Sequence, residues 1–536
     1  MLSDSEIRAI CVEELSNNTD TGDLASEREK ALDYYHGDLS DYIEVSEGRS
    51  SITTRDVLDT IESILPSLIK IFVEEENAIC GQAVSMADEP QAYLEAQAVR
   101  TVFFRDNDGF INLYTYLKDA LLSKTGTFKT WTQEEGWERE EYTDLDPVEY
   151  QKILADETIE IEIEEQEQTD TGINLTVLTK KKKPSIVVDV VAPEEIGVSS
   201  DACSIDIKKS RFCWQTSPTT IGELILQGYD ADILNDLPIN DEEGDRAERL
   251  ARRTLSDEEE TSHAHKSMRT VWVTECYPMI DRDEDGIPER LKVTLVGGST
   301  AYANLKLLDI EESRVPFSSG TPVILTHKYY GYSIADLVMD IMEMRTVFFR
   351  NVYDNMYLSN NVRMGANENV NLDDLLTVRP GGVVRTRGTD SPGNHLFPIQ
   401  HPPVSSQSFG LLEVFDQMLK NRTGVGDEVA GLDSNSLANI NTGVIAQAYS
   451  QARMRIELIA RILGETGLKQ CFEDIHRELH QSPCQLVQMK TNNLWVDVDP
   501  RIWRKDRKFE VKVGIGNQTK MEKKQSLIET LSLQEK

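Results

Sequence analysis

The 536-residue sequence has no membrane-length apolar run, no paired-cysteine motif and few positive charges, and each shortage excludes a class of protein. Its longest apolar stretch, near residues 64–73, is broken by Pro66 and Lys70. A bilayer asks for about 20 apolar residues in one helix. The seven cysteines (Cys11, Cys80, Cys203, Cys213, Cys276, Cys471, Cys484) are scattered, odd in number and never spaced CxxC. They spell neither a disulfide framework nor a zinc ribbon, and read as small buried thiols in a reducing cytoplasm. The opening MLSDSEIRAI lacks the basic and apolar parts of a secretory leader, so a soluble intracellular product is expected.

Catalytic signatures are missing as well. There is no GxxxxGK[ST], no strand-bound GxGxxG and no GxSxG. His476 and His480 stand four apart, but the run is HRELH, with Glu478 misplaced for a zincin; two exposed helix histidines are expected. DRDEDGIPE is sharper. Asp281, Asp283, Asp285 and Gly286 follow the D-x-D-x-D-G order that wraps calcium, with Glu289 as a further oxygen. The twelfth position is Lys292, where a glutamate belongs, and strands flank the motif. A calcium loop and a metal-free acidic hairpin both stand.

Charge is abundant in one sign only. Lys and Arg total 56 against 93 Asp and Glu, a formal charge of −37. Such a molecule repels phosphate and is no ordinary nucleic-acid binder, which still allows DNA in a channel built for passage rather than grip. With 39% hydrophobic and 28% charged residues, the chain can bury a sizeable core. Its length predicts several domains.

Periodicity divides the chain. Helices are expected over residues 24–36, stopped by Gly37; within 50–72, with Val57, Ile61, Ile64, Leu68 and Phe72 as one stripe; and over 90–123. Alternation then takes over. Ile159, Ile161 and Ile163, then Ile173, Leu175 and Val177, predict a hairpin across TDTG. KKKK at 180–183 reads as a solvated turn. A charge-rich insertion fills 241–262, and strands resume after it.

Ser333 followed by Asp336 opens a long helix carrying Ile334, Leu337, Val338, Ile341, Phe348 and Val352. Residues 361–404 are dense in Pro, Gly and Asn. A second helix carries Leu411, Val414, Phe415 and Met418 and stops at Gly424. Two helices flanking a short insert predict an antiparallel pair with a module at its tip. A glycine-rich loop follows, then a third helix to about residue 480, with kinks expected at Gly464 and Gly467.

That unit, with GLDSNSLANINTGVIAQAYSQARMRIELIARIL, REKALDYYHGDL and HKYYGYSIADLVMDIMEMRTVFFRNVYDNM, resembles the portal proteins of tailed double-stranded DNA phages, of the short-tailed type. The likeness spans about residues 24 to 515. It implies an α+β portal fold assembling into a ring, usually a dodecamer, at one capsid vertex. In that plan residues 1–332 and 483–516 form the wing, 333–360 and 405–423 the stem helices, and 361–404 the clip. Residues 424–441 form the tunnel loop, 442–482 a long wing or crown helix, and 517–536 the start of a crown that looks truncated.

The resemblance implies a non-enzymatic conduit in the virion, assembled in the host cytoplasm, that serves DNA packaging, retention and ejection. No cofactor is required. The implied partners are further copies of itself, the terminase large subunit, a head-to-tail adaptor, capsid and scaffolding protein, and duplex DNA passing without sequence readout. Channel residues would be Gly424, Asp427, Glu428, Leu432, Asp433, Asn439 and Asn441, with no Lys or Arg among 424–441. Arg345, Arg350, Lys420 and Arg422 on the stem would meet DNA or pair across subunits with Asp340 or Glu343. Arg379, Arg385 and Arg387 in the clip would dock the motor or adaptor. A calcium-dependent binding module on Asp281–Glu289 is the alternative; a metal-dependent nuclease lacks a paired acidic constellation.

Overall fold

The computed structural model describes residues 2–18, 22–73, 79–133, 138–145, 151–152, 159–168, 173–181, 184–235, 237, 266–297, 305–377, 381–387, 395–399, 406–424, 454–481, 487–491 and 494–511. Helix and sheet are both abundant, as an α+β chain requires. The chain divides into two units: residues 1–32, 61–336 and 441–536 in the first, and 33–60 and 337–440 in the second.

The first unit is built on antiparallel sheets. In the largest, Glu289–Gly297 lies between Lys306–Glu312 and Thr270–Cys276, and Cys213–Thr220 and Ile196–Val198 continue beyond. Leu291, Val293 and Leu295 alternate onto one face and are fully buried against Ile7, Cys11 and Leu15 of the helix Asp4–Asn18. Val271, Val273 and Val296 pack with Ile221 and Leu224 of the helix Ile221–Leu226. Strand alternation thus gives the sheet two covered faces. The helix Asp4–Asn18 escapes a sequence search because its apolar stripe is only one residue wide per turn.

A second sheet orders Phe317–Gly320, Gly126–Gln133 and Ser185–Val191. Tyr116 stacks on its Phe128 with ring centroids 4.3 Å apart. The expected hairpin is present as Ile159–Gln168 against Ile173–Lys181, with Ile163 opposite Val177. A third strand, Glu138–Leu145, pairs on the other side of Ile173–Lys181. Lys180 and Lys181 lie in that strand rather than in a turn; Lys182 and Lys183 fall outside the described residues.

The single helix expected over 90–123 is two helices, Glu89–Thr101 and Gly109–Ser123, with a π-turn at Val102–Asp106 and Asp108 left-handed at φ 47°. Asn107 explains the break. Its amide donates to the carbonyls of Val102 and Ile186 at 3.0 Å, and its oxygen accepts from Val188 N–H at 2.9 Å. A side chain that bonds the sheet and the preceding turn competes with the helical ladder.

The third helix, described from residue 454, carries a second π-turn at Gly464–Leu468 where kinks were expected, and resumes as Lys469–Gln481. Tyr116 Oη donates to the Leu463 carbonyl at 3.0 Å, drawing that acceptor out of the regular ladder. A Cβ on Gly467 would sit 2.1 Å from the same hydroxyl, so only glycine fits there. His476 corrects the expectation of exposed histidines: it is 1% exposed, stacks on Trp503 and lies 3.1 Å from Glu95.

In the second unit the long helix Ile334–Asn360 and the helix Gly410–Thr423 run antiparallel: Asp340 meets Arg422, Arg345 meets Asp416, and Phe348 meets Phe409 and Phe415. The Ser333–Asp336 box caps the long helix, Asp336 N–H donating to Ser333 Oγ at 3.0 Å and Ser333 N–H to Asp336 Oδ2 at 2.8 Å. Gly424 ends the second helix at φ 78°, a left-handed position where a side chain would be strained. Tyr34, Leu39, Val57, Val338, Ile341 and Met342 are buried there. The insert pairs Arg363–Ala366 with Leu396–Ile399 and includes the short helix Leu372–Leu376.

Candidate functional site

The site read from the sequence centres on the helical hairpin, where the cations have partners within their own chain. Arg345 spans Asp56 and Asp416. Arg422 donates to Asp340 Oδ1 at 2.5 Å and to the Leu337 carbonyl at 3.0 Å. Arg350, 8% exposed, donates to the carbonyls of Ile52 at 2.9 Å and Ile43 at 3.4 Å. These donors fix segment 43–56 along the long helix, and Thr54 joins them through Thr346 Oγ1 at 3.0 Å. Glu343 accepts from Tyr34 Oη at 3.4 Å, and Lys420 is also engaged. Asp340 therefore does pair with a stem cation, inside one chain.

The partners Asp56 and Asp416 carry no local signal, since Arg345 lies 289 and 71 positions away. Around Arg345 an open groove of about 440 Å3 is lined by Thr54, Arg55, Asp56, Asp59, Phe349, Leu412 and Asp416. Burial, then the charge of Asp56, pushes the Asp59 carboxyl above its ordinary range, against the pull of Arg55 and Arg345.

In the insert, Arg385 grips Asp374 with two nitrogens at 2.6 and 2.9 Å, and this bidentate pair holds the carboxyl below its usual range. Arg387 is exposed, and its N–H closes on the Asn369 carbonyl at 2.8 Å. Arg379 falls outside the described residues, as do Asp427, Glu428, Leu432, Asp433, Asn439 and Asn441; of the loop residues only Gly424 is described.

At the acidic motif, Met279–Ile280 and Glu289–Gly297 form a hairpin in whose turn the Asp281 carboxylate accepts from backbone N–H groups. Gly286 N–H donates to its Oδ2 at 2.7 Å and Asp285 N–H to its Oδ1 at 3.2 Å. Glu284 and Gly286 are left-handed, at φ 61° and 89°. Both oxygens of Asp281 thus serve the turn. Among the described residues no three His, Cys, Asp or Glu side chains gather as a metal-binding group. Nor is any described helix long and apolar enough to cross a membrane.

No curated protein matches the chain. A family model described as phage SU10 portal protein matches residues 9–536, all but the first eight positions, and the chain accordingly belongs to that family of phage portal proteins, whose role is structural.

Proposed function

We propose that the protein forms the ring-shaped channel at one capsid vertex through which phage DNA is packaged, retained and ejected, and on which the terminase and a tail adaptor dock. The observation that carries this reading is the antiparallel helical pair 334–423 with its strand-paired insert, in a chain of the portal family. The helices would be the stem, the insert the clip, residues 424–441 the tunnel loop, residues 1–332 and 483–516 the wing, 442–482 the long wing or crown helix, and 517–536 the start of a crown.

The charge balance supports a conduit. A duplex gripped by many cations releases counterions and gains affinity with every phosphate contact, all of which must be given up for the DNA to leave. Here Arg345, Arg350 and Arg422 are neutralised or saturated by their own chain, and the net charge is −37. The wall that such a chain builds would repel phosphate along its length and leave few places for it to stick. Energy would come from a separate terminase ATPase, in keeping with the missing phosphate loop.

Native mass spectrometry of the purified chain tests the assembly: a closed ring of about a dozen copies is expected, as head-to-tail contacts close. A monomer at every concentration would refute it.

A further inference from the structure

The helix from residue 454 to Gln481 buries two apolar stripes that are out of step by one residue. Before the π-turn, Ile456, Ile459, Ala460 and Leu463 are buried at the spacing of one helix face. After it, Leu468, Cys471, Phe472, Ile475 and Leu479 keep the same spacing. Between Leu463 and Leu468 the step is five. Continued backward from Leu468 as a plain α-helix, at about 100° per residue, the chain would turn Glu457 and Arg461 inward in place of Ile456 and Ala460. The wider turn at Gly464–Leu468 takes up one extra residue, and both stripes then face the core.

A side chain 347 positions away holds that turn open. Tyr116 is buried, and its Oη donates to the Leu463 carbonyl at 3.0 Å. Gly467 N–H faces the same hydroxyl, where it acts against the upward push of burial on the phenol. Leu463 and Gly467 are four apart, the pair that an α-helix joins directly, so the hydroxyl stands between the two groups of one ladder bond. The turn is bonded five apart instead, Lys469 N–H to the Gly464 carbonyl. Glycines make the room: a Cβ on Gly467 or Gly320 would lie 2.1 Å from Tyr116 Oη, and one on Gly464 would lie 2.7 Å from Val511 Cγ1. Glu465 is half-exposed and pairs with Lys469, one turn on, at 3.0 Å.

We infer that Gly464–Leu468 carries one inserted residue, locked in place by the Tyr116 hydroxyl, and that this extra residue sets the rotational phase of residues 454–463 against the rest of the helix. Without the wedge, the extra residue could sit at any turn and throw one stripe off the core. With it, residue 454 receives a direction that the helix Lys469–Gln481 alone would not give. This device stands whether or not the chain closes into a ring.

Thermal melting and hydrogen exchange of full-chain variants test it. Deletion of Glu465 should close the turn into a regular α-helix, because the bond from Lys469 to Gly464 then spans four residues. The deletion is expected to melt within about 3 °C of the parent and to keep residues 454–463 protected from exchange. Insertion of one alanine after Glu465 adds a second extra residue. It should lower melting by about 10 °C or more and speed exchange over 454–463 at least about ten-fold. Closing the turn also takes the Tyr116 hydroxyl out of the ladder. Tyr116→Phe should therefore lower the melting temperature of the parent but not that of the deletion variant. A deletion that loses protection over 454–463 as the insertion does, both with and without Tyr116→Phe, would overturn the proposal. So would an insertion tolerated as well as the deletion.

Discussion

Arg507 and Glu95 meet with neither side chain exposed, Nε to Oε2 at 2.7 Å and Nη2 to Oε1 at 3.0 Å, although 412 positions separate them. Arg507 also reaches both oxygens of Asp88 and the Gln82 carbonyl, and Glu95 has His476 on its other side. The cluster joins the strand pair Ile79–Gly81 and Phe509–Val511 to the helices Glu89–Thr101 and Lys469–Gln481. Removing one partner leaves the other charge buried and unpaired. Arg507→Ala should therefore cost about 3–5 kcal/mol in denaturant unfolding, while Arg501→Ala, in an exposed pair, should change little.

Acid sensitivity has a buried source in Glu275. Burial pushes the Glu275 carboxyl up, but Lys129, at 2.7 Å, and Lys292, at 3.3 Å, outweigh it and bring it down to about 2. A carboxyl lowered on folding contributes stability above its unfolded range, near 4.5, that is lost as the pH falls towards 2. The contribution is roughly 3 kcal/mol. Glu275→Gln should flatten the fall in melting temperature between about pH 4.5 and 2. An unchanged acid limb would remove Glu275 from the explanation.

The π-turn at Gly464–Leu468 makes a coupling prediction. Gly467→Ala should destabilise by about 2–3 kcal/mol through the Tyr116 hydroxyl. Tyr116→Phe should cost about 1–2 kcal/mol by orphaning the Leu463 carbonyl. Because the phenylalanine removes the nearest of the atoms that the new methyl strikes and frees the ring to move back from its Cζ and Cε2 contacts at 2.7 and 2.8 Å, the double variant should lose less than the sum. Strict additivity in urea melts would contradict the contact.

In the insert, Arg387→Glu, or Arg379, Arg385 and Arg387 all to Glu, should leave ring assembly intact and abolish terminase-driven packaging. Arg385→Glu alone sets two carboxylates against each other, since Asp374 is its partner, and should loosen the insert locally. Packaging assays with the Arg387 variant separate the two effects, and normal packaging would speak against docking on this face.

What could be read from the sequence follows from the range of each interaction. The Ser333–Asp336 cap, the Gly424 stop, the Ile163–Val177 pairing and the kinks at Gly464 and Gly467 are local, and their residues announce them. The break at Asn107 was hidden, because its cause is a strand about 80 positions away. His476 reads as a surface residue until Glu95, Trp503 and Phe509 are brought around it. The same holds for the hairpin cations. Their charge is visible in the sequence, but Asp56, Asp340 and Asp416 become their partners only once the helices fold back.

Ring-averaged electron microscopy of the assembled protein tests the central claim most directly. The account predicts a closed ring whose helical pairs, residues 334–360 and 410–423, face a central hole wide enough for a DNA duplex. Particles without a hole, or with those helices turned to the outside of the ring, would contradict it.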